Sequence, residues 1–254
     1  MRKLFFFCGI GGSGMQALAR LTLAAGHDVI GSDRAYDQGT TPEKFARLRQ
    51  EGVTLYPQDG SGVTADIEAV IVSSAVEDHI PDIQQAKSLG VPICKRAELL
   101  AAHFNERRGV AIAGTSGKTT ITGMIGWILY RAGLAPTIVN GGIMRNNFGA
   151  GADKNFVDGN SAWFVAETDE SDGSIDYFAP DIAVLSNIGR DHFEPEQLNA
   201  YFASFLGRVN AHVVLNADDE AVEALADHAH GTVYRYAIDT PDADLVARDI
   251  ELRP

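Results

Sequence analysis

Two glycine-rich segments of this sequence have the residue types and spacing of phosphate-binding loops. Gly114-Thr115-Ser116-Gly117-Lys118-Thr119-Thr120 combines two glycines, a lysine and consecutive threonines. In such a loop the backbone amides can wrap a polyphosphate. The Lys118 ammonium can lie against the β and γ groups, and the Thr119 hydroxyl can ligate magnesium. The strict G-x-x-x-x-G-K-[ST] spacing is not met, because Ile112 stands where the first glycine belongs. A helix capped only by Thr115 or Ser116 is the structural alternative, but capping gives no reason for a lysine followed by two threonines.

Candidate metal partners follow in the chain. Glu167-Thr168-Asp169-Glu170-Ser171-Asp172 ends an apolar run with several carboxylates. Magnesium takes a few oxygen ligands plus phosphate and water, so one or two of these acids suffice and the others are expected in solvent. A third run leads into Ser186-Asn187-Ile188-Gly189-Arg190-Asp191-His192. A lone surface histidine would be unremarkable, but the position of His192 beside two other strand ends makes it a candidate ligand. His79, His103, His212, His228 and His230 lack such a setting and read as surface or packing residues.

The other loop, Gly9-Ile10-Gly11-Gly12-Ser13-Gly14, matches G-x-G-x-x-G, follows a strand, opens a helix and is trailed by Asp33. This is the dinucleotide fingerprint in its required context. Its glycines let the backbone approach a diphosphate, and the helix N-terminus offers free amides with a partial positive charge. NAD, FAD and UDP all contain that diphosphate, and the loop alone would favour an NAD-dependent oxidoreductase. A glycine turn without ligand is the structural alternative.

These loops need a scaffold that brings strand ends together. Apolar runs at 4–8, 28–31, 69–73, 91–94, 110–113, 163–167, 182–187 and 212–216 read as buried strands separated by helical patterns. That alternation predicts α/β architecture with parallel sheets. After the first strand, Met15, Leu18, Leu21 and Thr22 share a helical face that ends at Gly26; after Lys118, Ile121, Met124, Ile125, Ile128 and Leu129 share another, ending at Gly133. A helix is expected over 97–103, and the polar Asn105-Glu106-Arg107-Arg108 marks a boundary. The expectation is a Rossmann-like domain at 1–106 and a P-loop-type α/β domain at 107–254, the latter incomplete, with the tail at 242–252 as one more strand.

Composition narrows the partners. With 34 acidic and 21 basic residues the net charge is −13, which opposes a nonspecific nucleic-acid surface or an anionic membrane. Cys8 and Cys94 sit in apolar runs and suggest buried thiols rather than a disulfide or zinc framework. The apolar opening stops at Gly9 with no small-residue cleavage site, so a cytoplasmic location is expected. No serine or cysteine nucleophile motif is present.

Taken together, the 9–15 loop, Gly31-Ser32-Asp33, Val72-Ser73-Ser74-Ala75, Lys95-Arg96-Ala97-Glu98-Leu99-Leu100, the 114–120 loop, the 167–172 acids and Ser186-Asn187-Ile188 with Asp191-His192 resemble the Mur ligases, in the same order and over nearly the whole chain. The resemblance implies ATP-dependent amide synthesis: a muramyl carboxylate is phosphorylated and an amine attacks the acyl phosphate. It implies UDP-N-acetylmuramic acid as the acid substrate. The Glu-x-Asp-Glu-Ser-Asp run leans towards members that add L-alanine, with members that add a peptide as the alternative. By match to the family motifs, Gly114 to Thr120 would cradle ATP, Lys118 would hold its β and γ phosphates, and Thr119 and Glu167 would bind one Mg2+. His192 would serve a second metal, with Asn187 and Asp191 in support. Gly11, Gly12, Ser13, Gly14, Asp33, Ser73 and Arg96 would hold the UDP-sugar.

The sequence also departs from the family pattern. Ser116 stands where relatives often have histidine or asparagine, and the 197–210 region has no lysine, so no metal-bridging carbamate is expected. The 141–160 segment, with Arg145, Asn146, Asn147 and Phe148, differs from the expected substrate loop. The family's third, carboxyl-terminal domain is not in this sequence, so the chain reads as a truncated ligase, inactive alone. A nucleotide-binding remnant and, with less support, an NAD-dependent oxidoreductase are the competing readings. A second triphosphate-magnesium site speaks against the oxidoreductase, because hydride transfer has no use for one.

Overall fold

The computed structural model describes residues 1–149, 155–170, 173–189 and 195–251. The chain divides into two compact units, Met1–His103 and Phe104–Pro254.

In the first unit the elements run β1 (Leu4–Cys8), α1 (Ser13–Ala24), β2 (Asp28–Ser32), α2 (Arg34–Asp37), α3 (Pro42–Gln50), β3 (Thr54–Tyr56), β4 (Ala69–Val72), α4 (Pro81–Leu89) and β5 (Ile93–Lys95), leading into α5 (Arg96–Asn105). The sheet order is β3-β2-β1-β4-β5, and every neighbouring pair is parallel. Parallel strands covered on both faces read as continuous apolar runs, and Phe5 to Cys8 of β1 are all buried. The order reverses between β1 and β4, which opens a crevice at their carboxyl ends. The predicted face of α1 is the packed one: Met15, Leu18, Leu21 and Thr22 are buried.

The second unit continues with β6 (Arg108–Ala113), α6 (Lys118–Arg131), β7 (Thr137–Val139), β8 (Phe156–Val157), β9 (Trp163–Glu167), β10 (Ile182–Leu185), α7 (Pro195–Leu206), β11 (His212–Asn216), α8 (Glu220–Glu223), β12 (Thr232–Ala237) and β13 (Leu245–Val246). Its sheet order is β13-β12-β11-β10-β6-β9-β7-β8, parallel except for the β7–β8 pair. β6 therefore lies between β10 and β9, and the carboxyl ends of these three strands are neighbours. The division falls before Phe104, whose ring packs at 5.3 Å from Phe164 and 5.1 Å from Phe178.

Three sequence expectations need correction. On α6, Ile121, Ile125 and Leu129 of the predicted face pack half-buried against the core, but Met124 and Ile128 are 59% and 61% exposed, and the residues fully buried are Thr122 and Gly126. A Cβ on Gly126 would lie 2.6 Å from Ile138 Cδ1, so this glycine lets the helix press its own side onto β7 and turns part of the apolar face outward. The tail forms only the short β13; Asp249 takes a left-handed φ of 54°, which an extended strand does not accommodate. Cys94 is half-buried rather than enclosed, and Cys8 alone is fully buried. Burial, with the neighbouring Asp82 carboxylate second, pushes the Cys8 thiol up to about 12, which suits a structural role. Among the described residues no helix is long and apolar enough to cross a membrane.

Candidate functional site

In the second unit β6 delivers its carboxyl end into the 114–117 turn, and α6 begins at Lys118 with Gly117 as its left-handed cap (φ 81°). Gly114 has φ 133°, and a Cβ there would lie 2.4 Å from Ser186 Oγ. Only glycine combines that backbone with so close an approach. Asn187, just beyond β10, holds the turn: its Oδ1 accepts Thr115 Oγ1 at 2.8 Å, Ser116 N at 2.9 Å and Ser116 Oγ at 3.1 Å. Its Nδ2 donates to Ser116 O at 2.9 Å. Both ends of the Asn187 amide are thus engaged by the loop.

The end of β9 supplies carboxylates to the same edge. Thr119 Oγ1 donates to Glu167 Oε2 at 2.8 Å. Lys118 Nζ donates to Gly114 O at 2.7 Å and to Glu170 Oε2 and Oε1 at 3.0 and 3.1 Å. Thr119 and Thr120 are exposed, so their hydroxyls are open to a ligand. A hydroxyl touching a carboxylate offers the hard oxygen donors that magnesium selects, and phosphate and water complete such a shell. Among the described residues no three His, Cys, Asp or Glu side chains converge on one point. The residues present fit an ion held by one or two side chains and by its nucleotide. His192 and Asp191 lie outside the described residues, as do Arg190, Ser171 and Asp172.

In the first unit the glycine loop follows β1, and α1 starts behind Gly12, which caps it without a side-chain bond. Asp33 turns into the loop: Oδ2 accepts Gly11 N at 2.8 Å and Oδ1 accepts Ala35 N at 2.8 Å. A Cβ on Gly11 would fall 2.7 Å from Asp33 Oδ2. Asp33 therefore fixes the shape of the loop in this structure. The Arg96 side chain lies along Gly14, 3.4 Å from where a Cβ would stand, and Ser73 follows β4 next to the loop strand. Gly11, Gly12, Ser13, Gly14, Ser73 and Arg96 thus gather at the crevice between β1 and β4.

Residues 5–108 match the Mur ligase family catalytic domain, and residues 112–254 match the Mur ligase middle domain. The chain belongs to the Mur ligase family. This Mur ligase chain is 36% identical over 245 residues to UDP-N-acetylmuramate–L-alanine ligase of Aquifex aeolicus and 38% identical over 251 residues to that of Xanthomonas campestris pv. campestris. The alignments cover 94% and 96% of the chain but 52% and 50% of the relatives, so the chain spans about half the length of the curated relatives it matches. The crystal structure of UDP-N-acetylmuramate-alanine ligase from Thermotoga maritima superposes with a TM-score of 0.77 at 29% identity, covering 94% of this chain and 53% of that one. A murein peptide ligase from Psychrobacter arcticus, at 23% identity, shares the fold with a TM-score of 0.79 over 95% of this chain and 55% of its own.

Several residues of this Mur ligase chain were not singled out by motif reading. Glu170 was expected in solvent with the other acids of its run, but it is buried at 3% exposure and pairs with Lys118. Asn140, after β7, is buried, and its Oδ1 has no hydrogen-bond partner among the described residues. It lines a cavity of about 360 Å³ together with Thr119, Thr120, Trp127, Met144 and Arg145. A buried amide oxygen without a donor is costly, and its position in a cavity wall suits a ligand. Lys44 Nζ reaches Gly11 O at 3.1 Å, placing a second cation beside the first loop. The signals were present only as single polar residues in otherwise ordinary stretches.

Proposed function

We propose that this chain provides the UDP-sugar-binding and ATP-binding parts of an ATP-dependent ligase that joins L-alanine to the carboxylate of UDP-N-acetylmuramic acid. In this reading the first unit takes the UDP-sugar through Gly11, Gly12, Ser13, Gly14, Ser73 and Arg96, and the second takes ATP on Gly114 to Thr120. The observation that carries it is the pairing of consecutive loop residues with two acids of one strand end, Thr119 with Glu167 and Lys118 with Glu170. A dinucleotide-dependent oxidoreductase has no use for this second arrangement.

A bare carboxylate is a poor electrophile, and phosphorylation gives it a leaving group. The chain's part in that transfer is positioning and charge stabilisation. Backbone amides of the 114–117 turn, held by Asn187, would receive the phosphates, and the Lys118 ammonium would lie against the β and γ groups. Thr119 and Glu167 would hold Mg2+, whose positive charge offsets the charge on the phosphate oxygens. Asn140 and Arg145, in the wall of the adjoining cavity, would orient the acyl group to be phosphorylated. His192 remains the candidate for a second metal.

The reading is tested by calorimetric titration of the chain with ATP in magnesium buffer, alongside Lys118→Ala. Binding by the unaltered chain that weakens roughly 10- to 100-fold in the variant supports the phosphate assignment. Equal affinities would remove it.

A further inference from the structure

Glu170 carries a charge whose position makes sense only in relation to the phosphate loop. It lies after β9 with 3% of its surface exposed, and both carboxylate oxygens lie within 3.1 Å of Lys118 Nζ. The third acceptor of that ammonium is the loop's own Gly114 carbonyl at 2.7 Å. A lysine has three protons to donate and no acceptor, so in this structure the Lys118 donors are fully committed to the protein. One residue along, Thr119 engages Glu167 in the same way. Two carboxylates from one strand end therefore face the two loop residues that a polyphosphate would seek.

We infer that Glu170 is a counter-charge on Lys118 that makes the loop select the magnesium complex of a nucleoside triphosphate over the free polyanion. The inference rests on the reading of Gly114 to Thr120 as a triphosphate site. A lysine meant to attract phosphate would ordinarily give the empty loop a positive charge. Here the ammonium is neutralised by a buried carboxylate in a pocket of low effective dielectric, where charges act over short range with little screening. An uncomplexed triphosphate must take a lysine donor from Glu170 and leave that carboxylate close to its own negative oxygens. A divalent cation held by Thr119 and Glu167 would offset both charges. Glu170 is thus a positioning and selectivity residue acting through Lys118, not a metal ligand or a group that meets the reacting atoms.

The test measures binding of the non-hydrolysable ATP analogue AMP-PNP by calorimetry, in EDTA and in excess magnesium, for the unaltered chain, Glu170→Gln and Glu170→Asp. Glu170→Gln keeps the side-chain shape and removes the charge. It is expected to tighten metal-free binding by about tenfold or more while changing the magnesium-saturated affinity less than about threefold. Glu170→Asp disturbs packing but keeps the charge, and its metal-free binding should stay as weak as that of the unaltered chain. A Glu170→Gln chain whose metal-free affinity is unchanged or weaker overturns the inference, as does an aspartate variant that tightens equally. If the unaltered chain fails to bind the magnesium complex, the loop reading itself falls and takes this inference with it.

Discussion

The Thr119 hydroxyl donates to Glu167 Oε2 at 2.8 Å, joining the start of α6 to the end of β9 at the edge where β6 releases its loop. These two oxygens come from separate strand–loop units and meet only because β6 and β9 are parallel neighbours. Their contact predicts the effect of removing one charge. Glu167→Gln should leave the fold intact and cut the ratio of magnesium-saturated to metal-free nucleotide affinity towards one. Calorimetry with and without EDTA measures that ratio. An unchanged ratio would move the ion to other oxygens.

Asn187 gives the second prediction. Its amide oxygen accepts three donors from Thr115 and Ser116, and its nitrogen returns a bond to Ser116 O. Asn187→Ala abandons these groups, and a deserted donor or acceptor costs about 1–3 kcal/mol when it is shielded from water. Nucleotide affinity should fall roughly tenfold or more through loss of loop shape, with the far-ultraviolet circular dichroism unchanged. Full affinity in the variant would show that the loop holds its conformation without this residue.

Asp82 predicts a pH dependence in the first unit. The side chain is enclosed, accepting Ser32 Oγ at 2.5 Å and Gly60 N at 2.9 Å. Burial raises its pKa above the ordinary 3.8, outweighing the lowering by those bonds. Between 3.8 and the raised folded value the folded chain keeps a proton that the unfolded chain has lost. Stability therefore falls as pH rises through that window and stays reduced above it. Asp82→Asn removes the ionisation and should melt at a higher temperature than the unaltered chain at pH 7, with the gain shrinking as the pH is lowered towards 4. A variant that melts lower at pH 7 would mean that the ionised carboxylate contributes more through its bonds than its burial costs.

How much of this was legible in the sequence depended on the length and purity of each signal. Buried parallel strands are apolar throughout, so β1, β6, β9, β10 and β11 stood out as runs, and glycines at both strand–helix junctions marked the loops. The half-exposed β12 gave no such run: it reads Thr-Val-Tyr-Arg-Tyr-Ala with most residues partly in solvent. The outward turn of Met124 and Ile128 could not be read from α6 itself, because it follows from a close approach between Gly126 and Ile138 on another element. Glu170 was hidden for a related reason. Among several acids in one run, the choice of which is buried against Lys118 is made by the path of the chain after β9, and composition carries no trace of it. Asp33 followed the fingerprint, yet its bonds to Gly11 and Ala35 come from the fold.

The central claim, that the first loop serves a UDP-sugar in a ligase rather than NAD in an oxidoreductase, is tested most directly by calorimetric titration of the chain with UDP-N-acetylmuramic acid and, separately, with NAD in magnesium buffer. Saturable heat with the UDP-sugar and none with NAD is the expected result. Heat with NAD and none with the UDP-sugar would contradict it.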